Sequence, residues 1–359
     1  MSKPTMVDYV RETPLAVRGQ IETDFAAPLT DAFLAGNFRL VRIVACGSSR
    51  NASLIARPYL RRVLGREVLI TEPYTFFTYE HELPDEEFCF VISQSGYSTN
   101  ALDALATMRR AGRMAIGVTG DPKSDFAEAA DLLVDYGVGE ELVGYVTKGV
   151  SSLATFLMLF GAQVAEREGR LNSRRMHADV RTMLERFEAT TEQVGMLLDV
   201  RYKELSCMER VFCVGAGANY GVASEGALKF AECLQIPAQA IELEEYLHGP
   251  TLQLSPEYTV YFVAVGERSW ERTRQIAAAT RLVTDHVFVI TDCPDMEADV
   301  RLISGGDEMI APVAALPVFQ MLAWQLTEDK HLWHKHPLVS KFGVALSGKS
   351  ANYVDKEVL

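Results

Sequence analysis

The chain repeats one pattern of alternating strands and helices twice, and this duplication limits the folds it can adopt. The first pass starts with RLVRIVACG and the second with ERVFCVG. Gly47 and Gly215 follow the first strand of each pass, and Gly65 aligns with Gln235 at nearly the same offset. Short apolar runs separated by helical segments predict parallel strands that helices cover on both faces. Self-similarity on this scale indicates two tandem copies of one α/β unit.

The repeat also predicts how the chain is divided into domains. The predicted parts are an N-terminal helical segment (1–30), a first α/β domain (31–170), a linker helix (171–200), a second α/β domain (201–345) and a tail (346–359). Within residues 6–35 we expect helix with breaks near Pro14 and Pro28. The stretch GSSRNAS, directly after the first strand, is expected to be a loop of small residues.

Composition excludes several classes of function. A net charge of −13 over 359 residues argues against nucleic acid or an anionic membrane surface as the main partner. The N-terminus lacks the apolar core of a signal peptide, and small and polar residues interrupt the richest apolar stretch, SSLATFLMLFGAQVA. The six cysteines form no CxxC pair and the seven histidines show no metal-ligand spacing. We therefore expect a cytoplasmic protein with free thiols, no membrane span, no metal and no other cofactor.

The stretch EGALKFAECLQIPAQAIELEEYLHGP carries the first candidate site. On a helix Glu225, Lys229 and Glu232 share one face at spacings i, i+4 and i+7, among apolar neighbours. His248 follows in a His-Gly-Pro turn that would present its ring. A carboxylate and an imidazole from adjacent elements suit general acid–base catalysis. The alternative is a solvated Glu–Lys pair and a histidine that bonds only to backbone.

Hydroxyl-rich turns after two strands of the first copy form the second candidate site. The polar residues in these turns are Ser48, Ser49 and Ser53 after the first strand, and Ser93, Gln94, Ser95, Ser98 and Thr99 after the third. Ligands of open parallel sheets bind beyond the carboxyl ends of the strands. Hydroxyls, backbone N–H groups and helix N-termini together can bind an anion without lysine or arginine. The alternative is that these residues only form turns and N-caps, but the second copy has no such pair of loops.

Four short stretches, ACGSS, SQSGYST, EGALKFAE and HGP, resemble the sugar isomerase (SIS) fold in its tandem form. The resemblance extends over nearly the whole chain from about residue 30 and is greatest to the isomerase half of glucosamine-6-phosphate synthase. It implies an α/β protein of two SIS domains, each a parallel sheet flanked by helices in a flavodoxin-like three-layer sandwich. It also implies a homodimer whose active sites share residues between subunits, with a sugar phosphate as the small-molecule partner.

The resemblance implies roles for individual residues. Those implied to bind the phosphosugar are Ser48, Ser93, Gln94, Ser95 and Ser98, with Ser49 beside them. Glu232 would move a proton between C1 and C2 of an open-chain sugar phosphate, and Lys229 matches the lysine beside this catalytic carboxylate. His248 would help to open the sugar ring and can come from the neighbouring subunit.

Departures from the family pattern lie at the sugar end of the site. The family's loop VASTK reads GYVTK here, so Thr147 and Lys148 match whereas Val146 replaces the serine. A tail lysine covers the sugar in the synthase; Lys341 is the best positional match, and Lys349 competes with it. Because the chain starts with Met-Ser-Lys, we expect no amide-hydrolysing domain and no full synthase activity.

Three kinds of function remain open at this stage. The stretch ELEEYLHGP resembles stand-alone fructosamine- and glucosamine-type 6-phosphate deglycases, which split a phosphorylated amino-acid–sugar conjugate. A ketose–aldose isomerase or an aminosugar-phosphate deaminase would use the same proton transfer. A non-catalytic phosphosugar sensor is the alternative of another class, although a sensor has no need of Glu232 or His248 and about 30 residues before the first strand leave no room for a DNA-binding domain.

Overall fold

The computed structural model describes residues 3–334 and 336–354, which divide into two compact units. The first unit consists of Leu15–Ser53, Tyr59–Met176 and the C-terminal stretch that begins at His334. The second unit consists of the N-terminal stretch that ends at Pro14, Leu54–Pro58 and His177–Trp333. Each unit contains one five-stranded sheet.

The sheet of the first unit is parallel throughout, with the strand order β2-β1-β3-β4-β5. Its strands are β1 (Leu40–Val44), β2 (Glu67–Thr71), β3 (Glu87–Ile92), β4 (Ile116–Thr119) and β5 (Leu132–Asp135). All six residues of the central strand β3 are buried, as expected where helices cover both faces of a sheet.

The second sheet repeats this order in its own numbering, as β7-β6-β8-β9-β10, and is also parallel. Its strands are β6 (Arg210–Gly215), β7 (Ala238–Glu242), β8 (Tyr258–Ala264), β9 (Val287–Thr291) and β10 (Val300–Arg301). The predicted duplication is therefore confirmed at the level of topology. Gly65 and Gln235, which align in sequence, both have left-handed backbone conformations (φ +59° and +57°) where they end the first helix of each repeat.

Helices connect the strands and cover the sheets. They are α1 (Met6–Thr23), α2 (Ala27–Leu34), α3 (Gly47–Leu64), α4 (Pro73–Tyr79), α5 (Thr99–Arg110), α6 (Phe126–Ala129), α7 (Lys148–Arg167), α8 (Ser173–Leu205), α9 (Ala218–Lys229), α10 (Glu267–Thr280), α11 (Leu316–Asp329) and α12 (Pro337–Leu346). By length and composition α7 could span a membrane, but 89% of its most apolar window is buried inside the protein, as in the core helix of a folded domain. The segment predicted as the linker is helical as α8, and the domain boundaries given above stay a prediction.

The predicted break at Pro14 is wrong, because α1 continues through this residue. A proline inside a helix removes one N–H donor and crowds the carbonyl one turn earlier. Tyr9, Val10 and Val17 on the same side of α1 are buried, and such packing outweighs local propensity. The other predicted break, near Pro28, is confirmed: a new helix, α2, starts at Ala27 and has Pro28 in its first turn, where proline is tolerated.

The predicted loop GSSRNAS is also wrong, because these residues form the first turns of α3. Serine and asparagine usually compete with helical hydrogen bonds. Here the Ser53 hydroxyl donates to the carbonyl of Ser49, one turn earlier, at 2.8 Å, which is compatible with a helix. Sequence patterns also missed α4, α12 and the two-residue strand β10, which are short or lack a long apolar period.

A buried ion pair links α8 to the carboxyl edge of the second sheet. The Arg186 guanidinium, which is 1% exposed, donates to Asp292 at 2.7 Å and to the carbonyl of Gly305 at 2.5 Å. Asp292 directly follows β9 and accepts from the backbone N–H of Gly266 at 2.8 Å and from the Trp270 indole at 2.9 Å. The carboxylate therefore occupies the N-terminus of α10 and neutralises the buried arginine.

Replacing Asp292 with asparagine should destabilise the protein strongly. The substitution leaves the Arg186 charge buried without a counter-ion, which costs about 3–5 kcal/mol of unfolding free energy. Urea unfolding followed by circular dichroism measures the loss. As a control, Glu244→Gln breaks an ion pair with Arg272 in which both partners are exposed, and should shift the midpoint far less. Equal shifts for the two variants would contradict the assigned role of Asp292.

Candidate functional site

The two hydroxyl-rich segments of the first unit lie at the carboxyl ends of adjacent strands. Since β1 and β3 are parallel neighbours, the residues that follow them meet at one edge of the sheet. Ser48 and Ser49 lie in the first turn of α3, directly after β1. Ser98 is the N-cap residue of α5, at the end of the loop that follows β3. The predicted arrangement of two helix N-termini beside one strand edge is therefore present.

These segments line a cavity of about 890 Å³, within the size range of small-molecule sites. The six residues predicted for phosphate binding all contribute to its wall, namely Ser48, Ser49, Ser93, Gln94, Ser95 and Ser98. Cys46, which has an exposed thiol, and Tyr97 also line it. Side chains at this edge thus offer hydroxyl, amide and thiol groups to a ligand.

The loop from Ser93 to Ser98 is shaped by its glycine. Gly96 has φ +67°, and a Cβ atom built there would lie 1.8 Å from the Ser124 hydroxyl oxygen. Only glycine fits this position without displacing Ser124. The hydroxyl oxygen of Ser93 accepts from the Gly96 N–H at 3.2 Å, and that of Ser95 lies 3.4 Å from the Tyr97 N–H. These contacts hold the loop in a tight turn above the cavity.

Glu141, which the sequence analysis missed, anchors the opposite wall. Its carboxylate accepts from the backbone N–H groups of Thr147 at 2.7 Å, Lys148 at 2.8 Å and Gly149 at 3.2 Å. It therefore caps the N-terminus of α7 from within the protein. It also accepts from the Gln94 side-chain amide at 2.8 Å and so orients that predicted binding residue. A glutamate seven residues before Lys148 was the only signal in the sequence.

Burial raises the pKa of Glu141, although the hydrogen bonds from Gln94 and from the three backbone groups oppose this shift. Thr147 and Lys148 are themselves buried, and their polar groups have partners. The Thr147 hydroxyl donates to the carbonyl of Tyr145 at 2.8 Å, and the Lys148 ammonium donates to that of Glu140 at 3.0 Å. Val146, rather than either of these two residues, lines the cavity.

A lysine from the tail contacts the serine loop, and it is Lys349. Its ammonium donates to the Ser95 hydroxyl at 2.8 Å and lies 3.2 Å from the Ser98 hydroxyl. Lys341, the better positional match in sequence, is exposed on α12 and is not among the residues that line the cavity. Sequence alignment could not separate the two lysines, because the tail has no periodic pattern that sets its register.

The second candidate site consists of a charged triad at the end of α9. The Lys229 ammonium lies 3.3 Å from Glu225 and 2.7 Å from Glu232. Lys229 and Glu225 have fully buried side chains, whereas the Glu232 side chain is 32% exposed. The alternative of a solvated surface pair does not hold, since two of the three charges are removed from water.

The electrostatics of the triad keep Lys229 charged. Burial alone would lower the pKa of Lys229, but the negative charges of Glu225 and Glu232 more than offset this and raise it. A permanent ammonium 2.7 Å from Glu232 orients its carboxylate and stabilises its negative charge. The exposed member of the triad is therefore the Glu232 carboxylate, whose position is fixed by the buried Lys229 ammonium.

Glu232 lies in a π-helical turn, Phe230–Leu234, that continues α9. π-Helical turns are rare in proteins, and those that occur often lie at functional sites. His248 follows a short 3₁₀ turn, Glu245–Leu247, and is exposed, with its backbone N–H bonded to the carbonyl of Glu245 at 3.0 Å. Gly249 has φ +121°, a conformation that L-amino acids rarely adopt, and this fixes the direction in which the chain leaves the histidine.

Comparisons with known proteins agree with this architecture. The family model of the SIS domain matches residues 39–162 and 204–326. Glutamine–fructose-6-phosphate aminotransferase (isomerizing) from Gloeobacter violaceus is 23% identical over 345 residues, covering 91% of this chain and 56% of that protein. The chain spans about half the length of the curated relatives it matches.

Solved structures share the fold across nearly the whole chain. A candidate phosphosugar isomerase from Clostridium difficile 630 superposes with a TM-score of 0.85 at 23% identity, covering 98% of this chain and 100% of that one. Glucosamine-6-phosphate deaminase from Thermotoga maritima gives a TM-score of 0.72 at 21% identity, covering 90% and 94%. Since the family model matches well over half of the residues and matches them in two segments, the chain belongs to the SIS domain family, as a protein with two tandem SIS domains.

Proposed function

We propose that the protein binds a sugar phosphate and transfers a proton between adjacent carbons of its open chain, as a deglycase. The observation that supports the chemistry is the partly exposed carboxylate of Glu232, which lies 2.7 Å from the buried ammonium of Lys229. A carboxylate supported in this way is a good general base, because its orientation is set before the substrate binds. The first SIS domain would hold the phosphate and the second would supply the base.

The serine cavity supports the binding half of the proposal. Four hydroxyls can donate to phosphate oxygens from two adjacent loops, those of Ser48, Ser49, Ser95 and Ser98. The N-termini of α3 and α5 add partial positive charge at the same edge. This chemistry suits the dianionic end of a sugar 6-phosphate.

In the proposed reaction Glu232 takes a proton from the carbon beside the carbonyl or iminium carbon of the open-chain substrate. The electron pair of that C–H bond forms the carbon–carbon double bond of an enol or enamine. In the same step the π pair of the original C=O or C=N bond moves onto its heteroatom, which takes up a proton. Glu232 then returns its proton to the former carbonyl or iminium carbon, while the heteroatom on the neighbouring carbon loses its proton and forms the new C=O or C=N bond. Lys229 stays protonated throughout and positions Glu232. His248 would exchange the ring-opening proton.

In a deglycase this step yields the Schiff base of an aldose phosphate, and water then hydrolyses it to sugar phosphate and amine. The motif ELEEYLHGP favours this activity. Isomerase or deaminase activity would use the same residues, and one fold neighbour is a glucosamine-6-phosphate deaminase. A sensor is disfavoured, since burying the Glu225–Lys229 pair costs free energy that sugar binding alone does not require.

We further propose a cytoplasmic homodimer with active sites shared between subunits. The cytoplasmic location is in keeping with six free thiols among the described residues.

Wild-type protein incubated with a panel of 6-phosphorylated Amadori compounds, aminosugar phosphates and ketose phosphates should release amine from the first class. Glu232→Gln should lower kcat by about 10²- to 10⁴-fold, because the amide cannot accept the proton. Amine release measured by a coupled assay gives the rate. Glu271→Gln changes an exposed glutamate on α10 and serves as the control that keeps full activity. Release of ammonia alone would indicate a deaminase instead of a deglycase. Ketose–aldose exchange without any amine release would indicate an isomerase.

The double variant Ser95→Ala/Ser98→Ala should bind sugar phosphates at least about 100-fold more weakly, because two hydrogen bonds to a charged group are lost. Binding of the corresponding free sugars should not change, since the removed hydroxyls face the phosphate. Isothermal titration gives both affinities, with Ser206→Ala, a serine that does not line the cavity, as the control. Wild-type affinity that is equal for phosphorylated and free sugars would rule out the phosphate site.

Mixing Glu232→Gln with His248→Ala protein tests the shared active site. If the histidine acts across the dimer interface, random exchange should restore about one quarter of wild-type activity, because half of the dimers are mixed and each has one intact site. Activity is measured as a function of mixing ratio after subunit exchange has reached equilibrium. No recovery at any ratio would mean that each chain has a self-contained site.

A further inference from the structure

The C-terminal segment Ser347–Tyr353 lies directly on the serine loop of the first unit. Its backbone pairs with the loop, as the Ser350 N–H donates to the carbonyl of Tyr97 at 2.9 Å and the Thr99 N–H donates to that of Gly348 at 3.3 Å. The Tyr353 ring lies 5.7 Å from the ring of Tyr97. The segment therefore covers one side of the cavity and brings Lys349 to it.

The hydrogen bonds from Lys349 determine in which direction the hydroxyl protons of Ser95 and Ser98 can point. A serine hydroxyl has one proton to donate and two lone pairs that accept. The Lys349 ammonium, which can only donate, occupies a lone pair of Ser95 at 2.8 Å and of Ser98 at 3.2 Å. Both hydroxyl protons must then point away from the ammonium and remain available to a ligand. A ligand that accepts from two hydroxyls beside a positive charge is an anion.

The Lys349 ammonium is one of the few positive charges on a cavity wall that carries several carboxylates. The carboxylates on its wall belong to Asp121, Asp135, Glu140 and Glu141, and the ammonium groups to Lys123 and Lys349. Glu141 is neutralised by backbone donors, but the wall as a whole carries more negative than positive groups. Within residues 3–334 and 336–354, Lys349 contacts hydroxyls and an aromatic ring but forms no ion pair with a carboxylate. Its charge is therefore available to an incoming anion.

We propose that Lys349 is a ligand of the substrate's phosphate group and that the segment Ser347–Tyr353 binds with it as part of the phosphate site. This proposal rests on the proposed phosphosugar function and adds the cationic contact that the serine loops alone lack. A phosphate oxygen that accepts from Ser95 and Ser98 would also lie within reach of the ammonium that contacts both hydroxyls.

The state of the lysine before binding agrees with this role. Although much of the Lys349 side chain is exposed, the groups around its ammonium desolvate it and lower its pKa, a shift that Cys46 opposes only in part. A bound phosphate would stabilise the charged form. The Tyr353 ring, 5.1 Å from the ammonium, already faces it as a cation–π partner.

Titration with inorganic phosphate tests the proposal without turnover. Lys349→Met should raise the Kd for phosphate by about tenfold or more, because a charge-assisted contact is lost. Lys349→Arg keeps the charge and should retain most of the affinity. Lys203→Met removes an exposed lysine of α8 that does not line the cavity, and should leave the Kd unchanged. Thermal melting checks that each variant is folded.

Salt dependence gives a second readout that a merely structural role would not change. Raising ionic strength from about 20 mM to about 200 mM should weaken phosphate binding more in wild-type protein than in Lys349→Met. Equal or tighter phosphate binding by Lys349→Met, with an unchanged salt response, would overturn the role of Lys349. If Ser95→Ala/Ser98→Ala still abolished binding in that case, the phosphate site itself would stand. Wild-type protein that binds no phosphate would overturn both.

Discussion

Both faces of each parallel sheet are covered by helices, and this burial decides where polar chemistry can occur. Every residue of β3 and nearly every residue of β8 is buried, so no polar side chain on these strands can reach a ligand. Polar groups are therefore concentrated where strands end and helices begin. The serine loops belong to such segments, and their positions follow from the strand order rather than from any local preference. Glu232 lies instead in the π-helical turn that ends α9.

The helix N-termini beyond these strands differ in what neutralises them. Glu141 caps α7 and Asp292 caps the start of α10, so these two sites carry an internal anion. The N-termini of α3 and α5 instead present serine hydroxyls to a cavity. Because an internal carboxylate and an external phosphate compete for the same N–H groups, the capped N-termini of α7 and α10 are closed to an external anion.

Charge burial has a cost that the fold accepts at only a few places. Arg186 with Asp292 and Lys229 with Glu225 are both largely removed from water. Buried ion pairs are weak contributors to stability, so the free energy spent on them points to a need for defined geometry. For Asp292 that need is the capped helix and the bound arginine. For Lys229 it is the fixed orientation of Glu232, whose carboxylate remains partly open to solvent.

Much of this architecture was readable from the sequence, because strand and helix periods are local properties. The repeated apolar runs predicted two parallel α/β sheets, and the alignment of Gly65 with Gln235 anticipated the left-handed residue that ends the first helix of each copy. The positions of the strand ends identified six of the residues that line the cavity. Local rules failed where packing decides, as at Pro14, where buried neighbours keep α1 continuous.

The sequence by itself determined the duplicated fold, the edge at which a ligand would bind, and the grouping of Glu225, Lys229 and Glu232 on one face of a helix. Only the tertiary structure decided that Glu141 orients Gln94 and that Lys349, rather than Lys341, reaches the serine loop. It also decided which charges of the triad are buried. The physical reason is that these contacts join residues far apart in the chain, such as Ser95 and Lys349, and no local periodicity encodes such a pairing.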